Sequence, residues 1–300
     1  MNNYFLLAIS MSAALFANII KKYSTERFQS KKIMRFFFNS VVTFTCAVCF
    51  FVISLTSGLP KISSFTLLTG MLFGFITAVQ FFFMLMAYEK GPFSYSSVIV
   101  SLSTIIPALS GSLLWGESIV PIQTVGMVLM LLCFLLSVDF SKSDKKTSPI
   151  WFLYIFISFI ATGFIGVMQK WHQKSVYKAE LDGFLIVAFA TAFVFSSIGT
   201  VVSFFKAKSQ TECNNAKKDI TLLAIVLMMC CGICVAANNK MNLYLSGVMD
   251  SATFFPVVNG GGMMLSTIAS LIIFKEKLTV QKWIGIAIGI VAVILICNPF

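Results

Sequence analysis

Long apolar runs, each of 17 residues or more and following one another from end to end of a 300-residue chain, constrain this sequence more than any other feature. A bilayer core about 30 Å thick takes roughly 20 helical residues to cross, and every backbone N–H and C=O within it must find a partner inside the protein. Runs of this length are therefore read as membrane-spanning helices. Ten are predicted: Tyr4 to Ile20, Ile33 to Leu55, Ile62 to Tyr88, Phe93 to Trp115, Ile119 to Val138, Ile150 to Gln169, Gly183 to Phe205, Ile220 to Tyr244, Ser251 to Phe274 and Val280 to Asn298. A hydrophobic fraction of 58% beside 11% charged residues excludes a soluble globular domain. The longest connection runs from Lys206 to Asp219, so no soluble domain is expected outside the membrane part. The first apolar run lacks a basic segment before it and carries Lys21 and Lys22 directly after it, so it is expected to remain as helix one.

The net charge of +11 is spread between the spans rather than gathered on one face or tail, which argues against nucleic acid as a partner. The basic residues read as topology signals instead. Of the 22 Lys and Arg, 17 fall in the connections after odd-numbered spans, and five (Lys61, Lys170, Lys174, Lys178 and Lys240) fall on the other side. The excess of positive charge on cytoplasmic loops then places both termini outside. Seven of the eight cysteines lie within spans and Cys213 in a connection, so no disulfide framework and no bound metal are expected.

Two stretches repeat each other. SLLWGESIVPIQTVG, Ser112 to Gly126, and LIIFKEKLTVQKWIG, Leu271 to Gly285, align at an offset of 159 residues that superposes Glu117 on Glu276 and Gly126 on Gly285. The same offset sets Trp115 on Phe274, Leu136 on Leu295, Gln80 on Asn239 and Leu85 on Tyr244. One repeat thus covers residues 1–141 and spans one to five, and the other covers 142–300 and spans six to ten. With five crossings per repeat the second half enters the membrane upside down, the plan of many secondary transporters. Each glutamate is expected to cap the first N–H groups of the helix that follows it, and each glycine to let helices approach closely.

A small-residue-rich helix, an interfacial glutamate, a short turn and a glycine-bearing last helix occur in both halves. They are GPFSYSSVIVSLSTIIPALSGSLLWGESI with VGMVLMLL, and SATFFPVVNGGGMMLSTIASLIIFKEKL with IGIAIGIVAVIL. In this the chain resembles the drug/metabolite transporter superfamily, and in particular its EamA-like members, over essentially its whole length. The resemblance implies an all-α, ten-helix inverted-repeat fold with a central cavity and alternating access. Relatives export amino acids and other metabolites, or exchange nucleotide sugars and phosphorylated sugars in eukaryotic organelles. Two features depart from the family: its termini are expected in the cytoplasm, and Asn259-Gly260-Gly261-Gly262 stands where the first half has Val100-Ser101-Leu102-Ser103.

Polar groups inside a bilayer need either a partner or a task. The densest set is AANNKMNLY in span eight, where Asn238 and Asn242 share a face at i, i+4 and Lys240 points elsewhere. Asn238, Asn239, Lys240, Asn242 and Tyr244, with Gln80 of span three, are therefore candidate substrate contacts. Lys240, four residues before the predicted end of its span, is suited to hold a carboxylate or phosphate; snorkelling or a pair with Asp250 is the structural alternative. Asn259 and Gly260 follow Pro256 closely, so span nine is expected to kink or unwind and offer backbone groups to a ligand, with Pro107 as the matching kink in span four. Trp171 and His172 are expected in an interfacial belt. No carboxylate falls at a midplane, so uniport, exchange or coupling through an end carboxylate such as Glu89 is expected.

These residues support a secondary transporter of a small polar or amphiphilic metabolite, an amino acid or related compound, with export favoured. The alternatives are a carrier for organic cations such as quaternary amines, held by some of the 32 phenylalanines, and a non-transporting membrane receptor. The chain carries no catalytic constellation known from intramembrane enzymes, and no cofactor is expected. The expected partners are the lipid bilayer and a small-molecule substrate, with the protein a monomer or homodimer. The absence of tails, retention signals and long loops favours the cytoplasmic membrane of a cell.

Overall fold

The computed structural model describes residues 3–27, 31–58, 60–90, 96, 99–136, 149–207, 210–273 and 279–297. Among these residues it holds eleven α-helices and no strand. They are α1 (Asn3–Arg27), α2 (Lys31–Ser57), α3 (Ser64–Lys90), α4 (Ile105–Trp115), α5 (Pro121–Leu136), α6 (Pro149–Lys174), α7 (Leu181–Phe205), α8 (Gln210–Asp219), α9 (Leu222–Val248), α10 (Ser251–Ile273) and α11 (Val280–Cys297). Seven helices of the described residues, α1, α2, α3, α6, α7, α9 and α11, are long and apolar enough to cross a bilayer, and Ile99–Trp115 and Pro121–Leu136 are shorter apolar helices. The chain is thus an all-α, multi-pass membrane protein.

The helix absent from the sequence reading is α8. Its residues, QTECNNAKKD, carry no apolar periodicity, and among its described side chains Ala216 is fully buried. Span four also differs from the expected continuous helix. A 3₁₀ turn at Leu102–Thr104 precedes α4, just ahead of Pro107, whose ring would collide with the carbonyl of Ser103 in an uninterrupted α-helix.

In span nine the expected unwinding is corrected. Helix α10 continues through Pro256 and all three glycines without unwinding. Ser251, Ala252, Thr253, Phe254, Phe255 and Val257 are all buried, so packing holds this first stretch helical despite the missing proline donor.

The chain forms two compact units, each drawn from both halves of the sequence. One comprises residues 8–78 and 176–242, the other residues 1–7, 79–175 and 243–300. The first unit is organised by α2 against α7, where Phe50 meets Phe189 with ring centroids 5.6 Å apart and Asn39 Nδ2 donates to Ser196 Oγ at 2.7 Å. In it Ser63 donates to Glu180 Oε2 from both its backbone N–H and its hydroxyl, at 2.8 Å each, so the α2–α3 and α6–α7 junctions meet.

The second unit is organised by α5 against α11 and α4 against α10. The doubled glycines of the sequence repeat make the α5–α11 crossing reciprocal. A Cβ on Gly126 of α5 would lie 2.7 Å from Ile296 Cγ1 and 3.1 Å from the Ala292 carbonyl of α11. One on Gly285 of α11 would lie 3.1 Å from Leu136 Cβ of α5. Tyr4 Oη also donates to the Cys297 carbonyl at 3.4 Å, bringing the start of α1 to the end of α11.

Candidate functional site

The polar residues of α9 divide by helix face as their spacing predicts. Asn238 and Asn242 are joined, Nδ2 of Asn242 donating to Oδ1 of Asn238 at 3.3 Å. Ser10 of α1 closes the group: Asn238 Nδ2 donates to its carbonyl at 3.0 Å and to its hydroxyl at 2.9 Å, and the hydroxyl donates to Asn242 Oδ1 at 2.6 Å. Ser10 is fully buried, so this triangle is an interhelical tie in an apolar setting. Asn239 turns back on its own helix, donating to the Val235 carbonyl at 2.9 Å.

Lys240 lies on another face and pairs with Asp182 at the start of α7, Nζ to Oδ1 2.8 Å. Its partner is thus Asp182 and not Asp250. Helix α9 runs on to Val248, so Lys240 stands eight residues from the helix end, about 12 Å at 1.5 Å per residue, deeper than its predicted place near a span end. The pair is half-open, with 35% of the lysine and 22% of the aspartate side chain accessible.

The remaining sequence candidates belong to the other unit. Asn259 is exposed on α10 and donates from Nδ2 to Thr104 Oγ1 at 3.0 Å, next to the 3₁₀ turn. Gly260 is buried against Met130 of α5. Tyr244 is exposed on α9, and Gln80 is half-buried on α3. Glu276 and the side chain of Glu89 lie outside the described residues.

Glu117 departs from the expected cap. Gly116 ends α4 in the left-handed conformation, φ +64°, and the chain turns so that the Glu117 N–H donates to the Gly111 carbonyl at 3.1 Å. Its carboxylate then crosses to another helix: Oε2 accepts the Ser251 N–H at 2.7 Å, capping α10 and not α5. Oε1 pairs with Lys170 Nζ at 2.5 Å, and Lys174 Nζ lies 3.6 Å from the same oxygen. Lys170 is completely buried and also donates to the Met249 carbonyl at 2.7 Å. The ends of α4, α6 and α9 and the start of α10 are joined by two side chains. Burial acts to raise the Glu117 carboxyl, but hydrogen bonds from Lys170 and Ser251 and the lysine charge outweigh it and hold the group below its ordinary value.

In the sequence Lys170 reads only as a charge at a span end, because a lysine there looks the same whether solvated or buried. His172 is a further correction. It is completely buried, with Nδ1 3.3 Å from Gln173 Nε2, whereas Trp171 is exposed as an interfacial residue would be.

No protein-family model matches the chain, and no curated protein matches it. Among solved structures 29 chains are similar. One crystal structure superposes with a TM-score of 0.72 over 98% of this chain and 95% of its own, at 13% sequence identity. At that identity the likeness is one of fold alone.

Proposed function

We propose that the chain is a secondary transporter of the drug/metabolite transporter type, carrying a small polar metabolite by alternating access of two inverted five-helix repeats. One observation carries this reading. The helices that pair across the sequence halves are equivalent members of the two repeats: α2 with α7 (spans two and seven), α4 with α10 (spans four and nine) and α5 with α11 (spans five and ten). Equivalent helices pair in this way when two repeats are related by a two-fold axis, and inverted repeats of that kind exchange roles between inward-open and outward-open states.

The junctions support ten crossings. Those joined by hydrogen bonds follow spans two and six in one unit, and spans four, six and eight in the other, all even-numbered. Ser24 at the end of span one lines a pocket with Lys218 and Asp219 after span seven, both odd-numbered, and the start of α1 meets the end of α11, as an even number of crossings requires. The distribution of Lys and Arg supports cytoplasmic odd-numbered connections and termini outside, in a cell membrane. Amino acids or related compounds are the first substrate class, and export follows from the family resemblance.

The test is counterflow into liposomes containing the purified chain, with labelled amino acids, nucleotides, sugar phosphates and quaternary amines. Saturable exchange of one class supports the carrier. Exchange of quaternary amines alone turns the assignment to an organic-cation carrier. A folded, ligand-binding protein that exchanges nothing is a receptor, and the transporter reading falls.

A further inference from the structure

We propose that the Lys240–Asp182 pair is a two-point recognition site for a zwitterionic solute, Lys240 taking its carboxylate and Asp182 its ammonium group. The inference rests on the carrier reading and names the substrate class for it. What carries it is the contrast between two ion pairs among the described residues.

The Glu117–Lys170 pair is closed. Both side chains are buried, and each charged group is additionally engaged by a backbone partner, the Ser251 N–H or the Met249 carbonyl. A pair buried in this way is closed to a solute. The Lys240–Asp182 pair is open. An ammonium has three donors and a carboxylate about four acceptor positions, yet among the described residues these two side chains meet only each other.

Asp182 stands in the first turn of α7, and Lys240 reaches it from eight residues inside α9, so the pair lies at a helix start where a polar solute can approach it. The bound species that conserves charge at both groups carries one positive and one negative centre, so that one ion pair is exchanged for two. A simple anion would leave Asp182 uncompensated, and a simple cation would leave Lys240 so. Asn239, beside Lys240, keeps its amide oxygen available, since its Nδ2 alone is engaged.

The experiment is thermal unfolding of the detergent-purified full chain against the standard L-amino acids, followed, for each that raises the Tm, by its amide and its deaminated acid. The expected result is a shift by at least one amino acid, with both one-charge analogues binding at least about tenfold more weakly. Lys240→Gln and Asp182→Asn should each abolish the shift, and the reversed pair, Lys240→Asp with Asp182→Lys, should restore it in a chain that keeps its ion pair. The inference is overturned if no amino acid shifts the folded protein, if a hit survives both neutralisations, or if a one-charge analogue binds equally well. Counterflow separates the two readings. Exchange of another solute, unaffected at Lys240 and Asp182, retains the carrier and removes this site, whereas no exchange of any class removes the carrier itself.

Discussion

Glu117 shows how one side chain can be located by sequence and still be given the wrong partner. Its repetition at 276 marked it as positioned, and its place after a helix suggested the nearest helix start. The carboxylate instead reaches Ser251, 134 residues away, and the buried Lys170. Removing one partner of such a pair strands a buried charge, at a cost of about 3–5 kcal/mol. Lys170→Met should therefore lower the Tm strongly, and Lys170→Met combined with Glu117→Leu should lower it less. A double variant as unstable as the single would show that the charge pair is not the cause. The pH dependence has a definite sign. The folded state holds the Glu117 carboxyl below its ordinary 4.5, so its contribution is complete above that pH and is lost as pH falls through the lowered value. Glu117→Gln should flatten the acid limb of a Tm–pH profile; an unchanged limb assigns acid sensitivity to other groups.

Between helices, small residues decide how closely the axes approach. Gly126 has no room for a side chain, since a Cβ there already meets Ile296 and the Ala292 carbonyl, whereas Gly262 of α10 has open space around the same position. Gly126→Val should destabilise by about 1–3 kcal/mol through overpacking. Gly262→Ala should be neutral or stabilising by up to about 1 kcal/mol, because it removes backbone freedom from a helix interior. Thermal unfolding of both variants checks the pair, and equal losses would sink the packing argument. The Asn238–Asn242–Ser10 triangle was half legible. The i, i+4 spacing on α9 put the asparagines on one face, but Ser10 lies 228 residues from Asn238 and no local pattern names it. Ser10→Ala should cost about 1 kcal/mol, a typical net value for interhelical hydrogen bonds in membrane proteins.

For the whole molecule, the distribution of Lys and Arg yields a test of orientation. A cysteine introduced at Lys178, in the connection after span six, should react with a membrane-impermeant thiol reagent added to intact cells. One at Lys217, on α8, should react only after permeabilisation. The reverse pattern would place the termini in the cytoplasm and invert the inferred direction of transport. At this scale the chain halves and the compact units part company, since each unit takes helices from both halves of the sequence. Helices α2 and α7, α4 and α10, and α5 and α11 pair across the halves, which interleaves them within each unit.

The apolarity and length of its runs, which are local properties, determined by themselves that the chain is all-α, that it lies in a membrane and where most of its apolar helices run. A backbone with no water to bond to has no alternative to the helix. The repeat and the glycine positions were legible for the same reason, as patterns at fixed spacing. Tertiary structure alone decided the partners of the charged groups: Asp182 for Lys240, and Lys170 with the α10 N-terminus for Glu117. It also kept α10 helical through Pro256, where buried packing outweighs a missing hydrogen bond. Charges in a bilayer settle where opposite charge and backbone dipoles meet, and that meeting depends on how distant segments are folded together.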